Sequence, residues 1–327
     1  MADEDLATRA PESDAQEDGK TEADSKPDQG AASMGGHCTT DRPTPADEQS
    51  TGELARLNDV EVYIAKPADY PHAGSKLLLL LTGGTGIHST NNQLQADRFA
   101  AEGFLVVMPD QFGGDPVTSI IQTPTTPAEP NPTLIEQVKL GIASVAKSFS
   151  IDMWLARHTP EKVLPIVQRV IDAIREEFAD AVAHGDGIYA VGYCFGAKYV
   201  LLLGSELHAD VAAGQRSAET EAEEGMVKKR PFIKAGAIAH GTQITASDLE
   251  NCKVPLSIAA VEDDSLFPDK IRETGIRKLK EKGIEHDHQV YSGVPHGFAV
   301  LGEYQESHIM EKQREAFRQM LSFLQQH

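Results

Sequence analysis

The sequence has little of what typifies disulfide-rich or membrane proteins. Its 327 residues include only three cysteines, Cys38, Cys194 and Cys252. An odd number in a long chain argues against a disulfide framework and leaves thiol chemistry open. The longest apolar run, within Lys76–Leu81, is far shorter than the roughly 20 residues that cross a bilayer. We therefore expect neither a disulfide scaffold nor a membrane partner.

Positive charge is also scarce. The chain has 30 Lys and Arg residues against 50 Asp and Glu residues, which gives a formal net charge of −20. Because phosphate binding needs a basic surface, nucleic acid is not an expected partner. The N-terminal sequence MADEDLATRAPESD lacks the basic and apolar regions of a secretory signal, so we expect a cytoplasmic location.

Motifs for metals and nucleotides are missing as well. The twelve histidines and three cysteines form no C-x-x-C or H-E-x-x-H cluster, so we expect no metal. The glycine-rich loop TGGTGIH at 82–88 lacks the Gly-Lys-Ser/Thr ending of a P-loop and does not fit G-x-G-x-x-G. We expect no cofactor, and we interpret His88 as a surface histidine, with a place in a pocket as the alternative.

Composition divides the chain in two. Residues 1–50 contain 13 acidic and 4 basic residues, and residues 1–30 have no Val, Ile, Phe, Tyr or Trp. Such a segment cannot bury enough apolar area to offset its ordering entropy, so we expect a disordered acidic tail, either solubilising or partner-binding. Residues 51–327 are predicted to form one domain with a polar insertion at 208–231. A Pro-rich surface loop or cap is predicted at 122–133.

From residue 59 onward, short apolar runs alternate with helical periodicity, which is typical of strands joined by crossover helices. Runs such as LLLLL and FLVVM are apolar at successive positions, as in a parallel sheet buried on both faces. The pattern predicts an α/β fold with strands at Val60–Ala65, Lys76–Thr82, Phe104–Pro109, Gly187–Tyr193, Ile233–His240, Val254–Val261 and His286–Tyr291. Helices are predicted at Asn91–Ala101, Gln137–Lys147, Glu161–Phe178, Phe195–Leu207, Lys270–Lys282 and Gln305–Gln325.

The segment most indicative of chemistry is GYCFG at 192–196, at a predicted strand-to-helix junction. In a nucleophile elbow the central side chain sits on a strained turn, and the residues two before and two after it must be small. Gly192 and Gly196 meet that need. Cys194 would lie at a helix N-terminus, which favours its thiolate form. The alternative is a buried structural cysteine beside two incidental glycines.

A base and an acid follow the nucleophile in the chain order of this architecture. Asp263 and Asp264 come after one predicted strand, and His296 comes after the next. Both positions belong to the sheet edge where open α/β sheets place their ligands. The residues alone leave open which of the two aspartates would orient the histidine. They also leave open a non-catalytic interpretation, in which the aspartates belong to a solvated turn and His296 is an ordinary loop histidine. An oxyanion hole would use the backbone N–H of Phe195 and a second N–H from the 82–88 loop.

At these motifs the chain resembles the dienelactone hydrolase family, and most of all its fungal members. The similar segments are GYCFGAKYV at 192–200, SIAAVEDDSLFP at 257–268, VPHGFAV at 294–300 and NNQLQADRFAAEGFLVVMPDQFGGDP at 91–116. The resemblance covers about residues 36–327 apart from the insertion, and it implies an α/β-hydrolase fold. It also implies that Cys194 is the nucleophile, His296 the base, Asp264 its orienter, and the N–H groups of Gly84 and Phe195 the oxyanion hole.

Two positions depart from the bacterial members of that family. The acidic residue that helps to ionise the cysteine there is replaced by Gly83, within Gly83-Gly84-Thr85. The arginine that binds a substrate carboxylate shortly after the histidine is replaced by Val300-Leu301. These departures weaken the expectation of an anionic substrate such as dienelactone.

The sequence therefore predicts a hydrolase of small carboxylic esters or lactones that forms a thioester on Cys194. The same site could instead serve acyl transfer or thioester hydrolysis. A binding protein on a hydrolase scaffold is the alternative from a different class. The expected partner is a small-molecule ester or lactone.

Overall fold

The computed structural model of the chain describes residues 40–44, 48–117, 150–206 and 230–327. These residues belong to one compact unit, residues 33–327. Most of the predicted acidic tail, the Pro-rich loop at 122–133, the helix predicted at Gln137–Lys147 and nearly all of the 208–231 insertion lie outside the described residues. The predicted domain limits and the nature of the tail therefore stay predictions. Within the described ranges, no helix has the length and apolar character needed to span a membrane.

A central sheet of eight strands organises the unit. Its strands are β1 (Glu53–Leu57), β2 (Val60–Ala65), β3 (Lys76–Leu81), β4 (Phe104–Pro109), β5 (Ile188–Tyr193), β6 (Ala235–Ala239), β7 (Leu256–Val261) and β8 (His286–Tyr291). They are arranged in the order β1-β2-β4-β3-β5-β6-β7-β8. β2 pairs antiparallel with β1 and β4, whereas all other neighbours are parallel. The carboxyl ends of β3 and β5–β8 therefore meet at one edge.

Helices cover both faces of the sheet. They are α1 (Thr90–Ala101), α2 (Pro160–Glu177), α3 (Ala179–His184), α4 (Phe195–Leu203), α5 (Ala246–Asn251), α6 (Asp269–Glu281) and α7 (Ser307–Gln326). Residues 150–157 are also helical. Phe99 of α1 and Phe317 of α7 belong to the apolar core on one face, and Val167 of α2 and Leu201 of α4 belong to the core on the other.

The central strands supply both cores because side chains alternate across a strand. Along β3, Leu77, Leu79 and Leu81 pack on one face, whereas Leu78 and Leu80 pack on the other. All five leucines are fully buried. Burying an aliphatic side chain of this size stabilises a fold by about 1.5–3 kcal/mol, so the leucine run fixes β3 at the centre of the molecule.

The structure confirms the predicted α/β class and each predicted strand within about two residues at either end. The helix predicted at Phe195–Leu207 ends at Leu203, because Gly204 follows as its C-cap residue. β1, α3, α5 and the helical residues 150–157 were not predicted from the sequence. β1 is an edge strand with mostly exposed side chains, so its sequence lacks the apolar run of a central strand.

Candidate active site

Cys194 occupies the sharp turn between β5 and α4. Its backbone has a φ of 50° and a ψ of −113°, a conformation that residues other than glycine rarely adopt. The turn needs glycine on both sides. A Cβ atom on Gly196 would lie 2.2 Å from the Leu81 carbonyl oxygen, and one on Gly192 would lie 2.6 Å from the Gly196 carbonyl oxygen. Strand and helix thus approach more closely than any side chain would allow.

Asp264 and His296 form a close pair at the same sheet edge, after β7 and β8 respectively. His296 Nδ1 lies 2.6 Å from Asp264 Oδ2, and the other carboxylate oxygen accepts a hydrogen bond from the Leu266 N–H at 3.0 Å. Asp264 is buried, whereas Asp263 is exposed and has a φ of 53°. Of the two aspartates that the sequence left open, the geometry joins Asp264 to the histidine.

The charge state of His296 reflects its two neighbours. Burial by itself would lower the pKa of the imidazole. The negative charge of Cys194, together with the hydrogen bond and charge of Asp264, outweighs burial and raises that pKa to about 9. The arrangement therefore favours the protonated, imidazolium form of His296 at neutral pH.

The two backbone groups predicted as an oxyanion hole belong to Gly84 and Phe195. Gly84 lies in the loop after β3, and Phe195 follows Cys194 directly. Among the residues that the structure describes, neither backbone N–H donates a hydrogen bond. The Gly196 N–H donates to the Thr82 carbonyl oxygen at 3.0 Å, which ties the elbow to that loop. The oxyanion hole at Gly84 and Phe195 stays a prediction.

Gly83 lies against Cys194. A Cβ atom at this position would be 3.3 Å from Cys194 Cβ and 4.0 Å from its Sγ. A side chain at position 83 would therefore approach the sulfur.

Cys194 lines a cavity together with Gly83 and residues from four other segments. Most of the lining side chains are uncharged and polar, and the apolar ones come from the loop after β8. The lining comprises Thr40, Asp41, Arg42, Thr85, Ser89, Asn91, Asn92, His240, Gly297, Val300 and Leu301.

Residues 40–42, which were predicted to belong to the acidic tail, line this cavity. The Arg42 N–H donates to Asn91 Oδ1 at 2.7 Å, and Asp41 Oδ2 accepts from the Thr90 N–H at 2.9 Å. The Arg42 guanidinium stacks 3.7 Å from the ring centroid of Tyr304. Composition could not reveal these contacts, because they depend on a few residues within a long acidic segment.

His240 is a further residue of this edge that the sequence analysis missed. It follows β6 directly, has a φ of 35°, and lines the cavity. Its ring lies 5.0 Å from that of His296, centroid to centroid. The available signal was its position, since a histidine directly after an apolar strand reaches the ligand-binding edge.

His88, by contrast, is at the surface. Its side chain is 60% exposed, and its Nε2 lies 3.0 Å from Glu61 Oε2. It is absent from the cavity lining, in agreement with the surface interpretation. No group of three or more His, Cys, Asp or Glu side chains within the described ranges is arranged to hold a metal ion.

Comparison with known proteins adds an independent line of evidence. The sequence profile of the dienelactone hydrolase family matches residues 60–327. The chain belongs to the dienelactone hydrolase family. Membership confirms the sequence-based resemblance and makes the protein a carboxylic ester hydrolase rather than a binding protein on that scaffold.

Two fungal proteins illustrate the relationship of this family member to others. It is 30% identical over 279 residues to Hydrolase pyvD of Aspergillus violaceofuscus, covering 85% of this chain and 91% of that protein. It is 25% identical to Dienlactone hydrolase 1 of Gibberella moniliformis, covering 84% and 88% of the two chains. The chain therefore spans most of both relatives.

A solved structure supports the fold. The putative dienelactone hydrolase from Klebsiella pneumoniae superposes with a TM-score of 0.56 at 14% identity, covering 85% of this chain and 99% of that one. With the mostly parallel sheet and its two helical layers, this establishes the α/β-hydrolase fold.

Proposed function

We propose that this dienelactone hydrolase family member cleaves small carboxylic esters or lactones through a covalent thioester on Cys194. The observation that carries the proposal is the placement of Cys194, His296 and Asp264 after three strands of one sheet edge, with Asp264 bonded to His296 at 2.6 Å and Cys194 acting on the pKa of His296. Nucleophile, base and orienter are the three parts that acyl transfer requires.

In the first half-reaction, the Cys194 thiolate attacks the carbonyl carbon of the ester. The carbonyl electron pair moves to oxygen, and the N–H groups of Gly84 and Phe195 stabilise the resulting oxyanion. When the tetrahedral intermediate collapses, the carbon–oxygen bond of the ester breaks and the leaving oxygen takes a proton from His296 Nε2. The acyl group is then held as a thioester and His296 is neutral.

In the second half-reaction, His296 Nε2 accepts a proton from water as the water oxygen attacks the thioester carbon. Collapse breaks the carbon–sulfur bond, releases the carboxylic acid and restores the thiolate beside the imidazolium. Asp264 accepts the Nδ1 hydrogen throughout, which holds the ring in the tautomer that exposes Nε2 to the substrate.

Names of relatives agree with this chemistry, since both fungal proteins are called hydrolases. A second acceptor in place of water would make the same site an acyltransferase, and a thioester substrate would make it a thioesterase. The cytoplasmic location stays a prediction.

The thioester is tested by mass spectrometry of the intact protein mixed briefly with p-nitrophenyl acetate. We expect a gain of one acetyl group that hydroxylamine removes. Cys194→Ala should prevent the gain, and Cys252→Ala, which removes another buried thiol, should not. Acetylation that persists in Cys194→Ala would refute the assignment. Adding an alcohol and analysing the products separates hydrolysis from transfer.

A further inference from the structure

Beside the proposed nucleophile lies a histidine that the mechanism above does not use. His240 is 1% exposed, and neither ring nitrogen has a hydrogen-bond partner among the residues that the structure describes. A buried polar group without a partner destabilises a fold, and most such groups in proteins are satisfied. No described residue therefore satisfies the two ring nitrogens of His240.

The aromatic rings around His240 account for its neutral state, but they offer no hydrogen-bond partner. Its ring packs against those of Tyr193, His296 and Phe298, with centroid distances of 5.9, 5.0 and 6.1 Å. Burial, and the charge on His296, hold the pKa of His240 well below its usual value. A neutral imidazole presents one N–H donor and one nitrogen acceptor.

Asn91 presents a second unsatisfied group in the same cavity. Its side chain is buried, and Oδ1 accepts the Arg42 N–H at 2.7 Å. That bond orients the amide, so that the remaining group is the Nδ2 donor pair. Nδ2 has no partner in the described part of the chain. Both Asn91 and His240 line the cavity that contains Cys194.

We propose that His240 and Asn91 form a polar subsite that binds an uncharged acceptor oxygen of the substrate, such as a keto, hydroxyl or ether group, separate from the reacting carbonyl. The inference rests on the proposed function in taking the ligand to be an ester or lactone. The substrate class then narrows to oxygen-substituted esters and lactones, which match the N–H donors of both residues.

Binding of two unreactive amides to the full-length Cys194→Ala variant tests the subsite. Pentanamide and 4-oxopentanamide have the same chain length and no charge, and they differ in one ketone oxygen. By calorimetry or NMR titration we expect the oxo amide to bind about five- to tenfold more tightly, the effect of one net hydrogen bond. Equal affinities, or no binding of either amide, would overturn the proposal.

Substitutions then localise the preference. In the same background, His240→Phe keeps a ring but no donor, and Asn91→Asp keeps the acceptor for Arg42 but loses the donor pair. Each should reduce the preference for the oxo amide, whereas His240→Asn should retain part of it. Leu301→Ala, a change in an apolar lining residue, is the matched control and should alter both affinities alike. An undiminished preference in both His240→Phe and Asn91→Asp would refute the assignment.

A purely structural role for His240 makes a different prediction. Because its nitrogens are unpaired, His240→Phe should unfold at the same or a higher temperature, and a drop of many degrees would argue against the subsite. Binding to an inactive variant needs no turnover, so failure of this proposal and failure of ester hydrolysis give separate results.

Discussion

Cys194 and Cys252 are both buried, yet their surroundings give them different chemistry. Cys194 is 2% exposed and Cys252 is fully buried. Cys252 ends α5, and its Sγ lies 3.5 Å from the Val254 carbonyl oxygen. Burial raises the pKa of Cys252 to about 11, although that hydrogen bond lowers it. Cys252 therefore stays a thiol at neutral pH, whereas Cys194 raises the pKa of the neighbouring His296.

The difference follows from the two edges of the sheet. Cys252 lies before β7, at the amino edge, where the charge of Lys253 lowers the pKa of its thiol by less than burial raises it. Cys194 follows β5 at the carboxyl edge, where the loops after β7 and β8 bring in Asp264 and His296. Burial alone thus suppresses a thiolate, and a paired cation is needed to favour it.

The largest expected contrast is in catalysis. Cys194→Ala should lower kcat for p-nitrophenyl acetate by about 10⁴-fold or more, as loss of a nucleophile does. Cys252→Ala should leave kcat within about twofold, because surface and core changes far from a site seldom alter chemistry. Steady-state assays of both variants decide the matter, and similar losses in the two would contradict the assigned roles.

The next contrast concerns the two adjacent aspartates. Asp264→Asn should lower kcat by about 10²- to 10⁴-fold, because the amide cannot hold His296 in the required tautomer. Asp263→Asn is the matched control and should change kcat little, since Asp263 is exposed. The same ester assay measures kcat of both variants. Equal losses of kcat would contradict the assignment of Asp264, and not Asp263, as the residue that orients His296.

Alkylation should separate the two thiols directly. At pH 7 iodoacetamide should modify Cys194 at least about 100-fold faster than Cys252, because the thiolate is the reactive form. Peptide mapping after timed labelling measures both sites in one sample. In His296→Ala, the rate of Cys194 labelling should rise with pH as it does for an ordinary thiol. If the dependence of that rate on pH is unchanged, Cys194 and His296 do not form an ion pair.

The pKa of His296 should set the upper pH limit of activity. A raised pKa means that the imidazolium persists at neutral pH and loses its proton near pH 9. Because the leaving oxygen needs that proton, kcat/KM should fall above about pH 9. In Asp264→Asn the limit should move to lower pH, since one cause of the raised pKa is gone. A pH profile extending unchanged to pH 10.5 would contradict the proposed proton donor.

Stability should show the smallest contrast. Cys252→Ala removes a buried sulfur and should lower the free energy of unfolding by about 1 kcal/mol. Cys194→Ala should cost less or even stabilise, because residues at active sites are often not optimal for stability. Urea unfolding followed by circular dichroism measures the free energy of unfolding of both variants. A larger decrease for Cys194→Ala than for Cys252→Ala would contradict this prediction.

The sequence predicted features that local residue types determine. The central strands and the junctions at Cys194, Asp264 and His296 could be read from apolar runs and the residues that follow them. α5 was not predicted, although Thr245 and Asp248, which form its capping box, are a local signal for it. His240 and Asn91 could not be read, because an unsatisfied buried polar group becomes visible only when every neighbour is placed. The role of Arg42 in the cavity likewise depends on a contact across 49 residues.

Positive φ values recur beyond the ends of three neighbouring strands, at Cys194, His240 and Asp263. Each turns the chain sharply where a strand stops. The sheet and its two cores hold these turns in place. The free-energy cost of their backbone strain is therefore offset by folding, and ligand binding does not have to supply it. The cavity thereby presents side chains whose positions are already fixed. Preorganisation of this kind lowers the reorganisation needed to reach the transition state, and it makes the packing beneath the site, including Gly192 and Gly196, a determinant of rate as well as of stability.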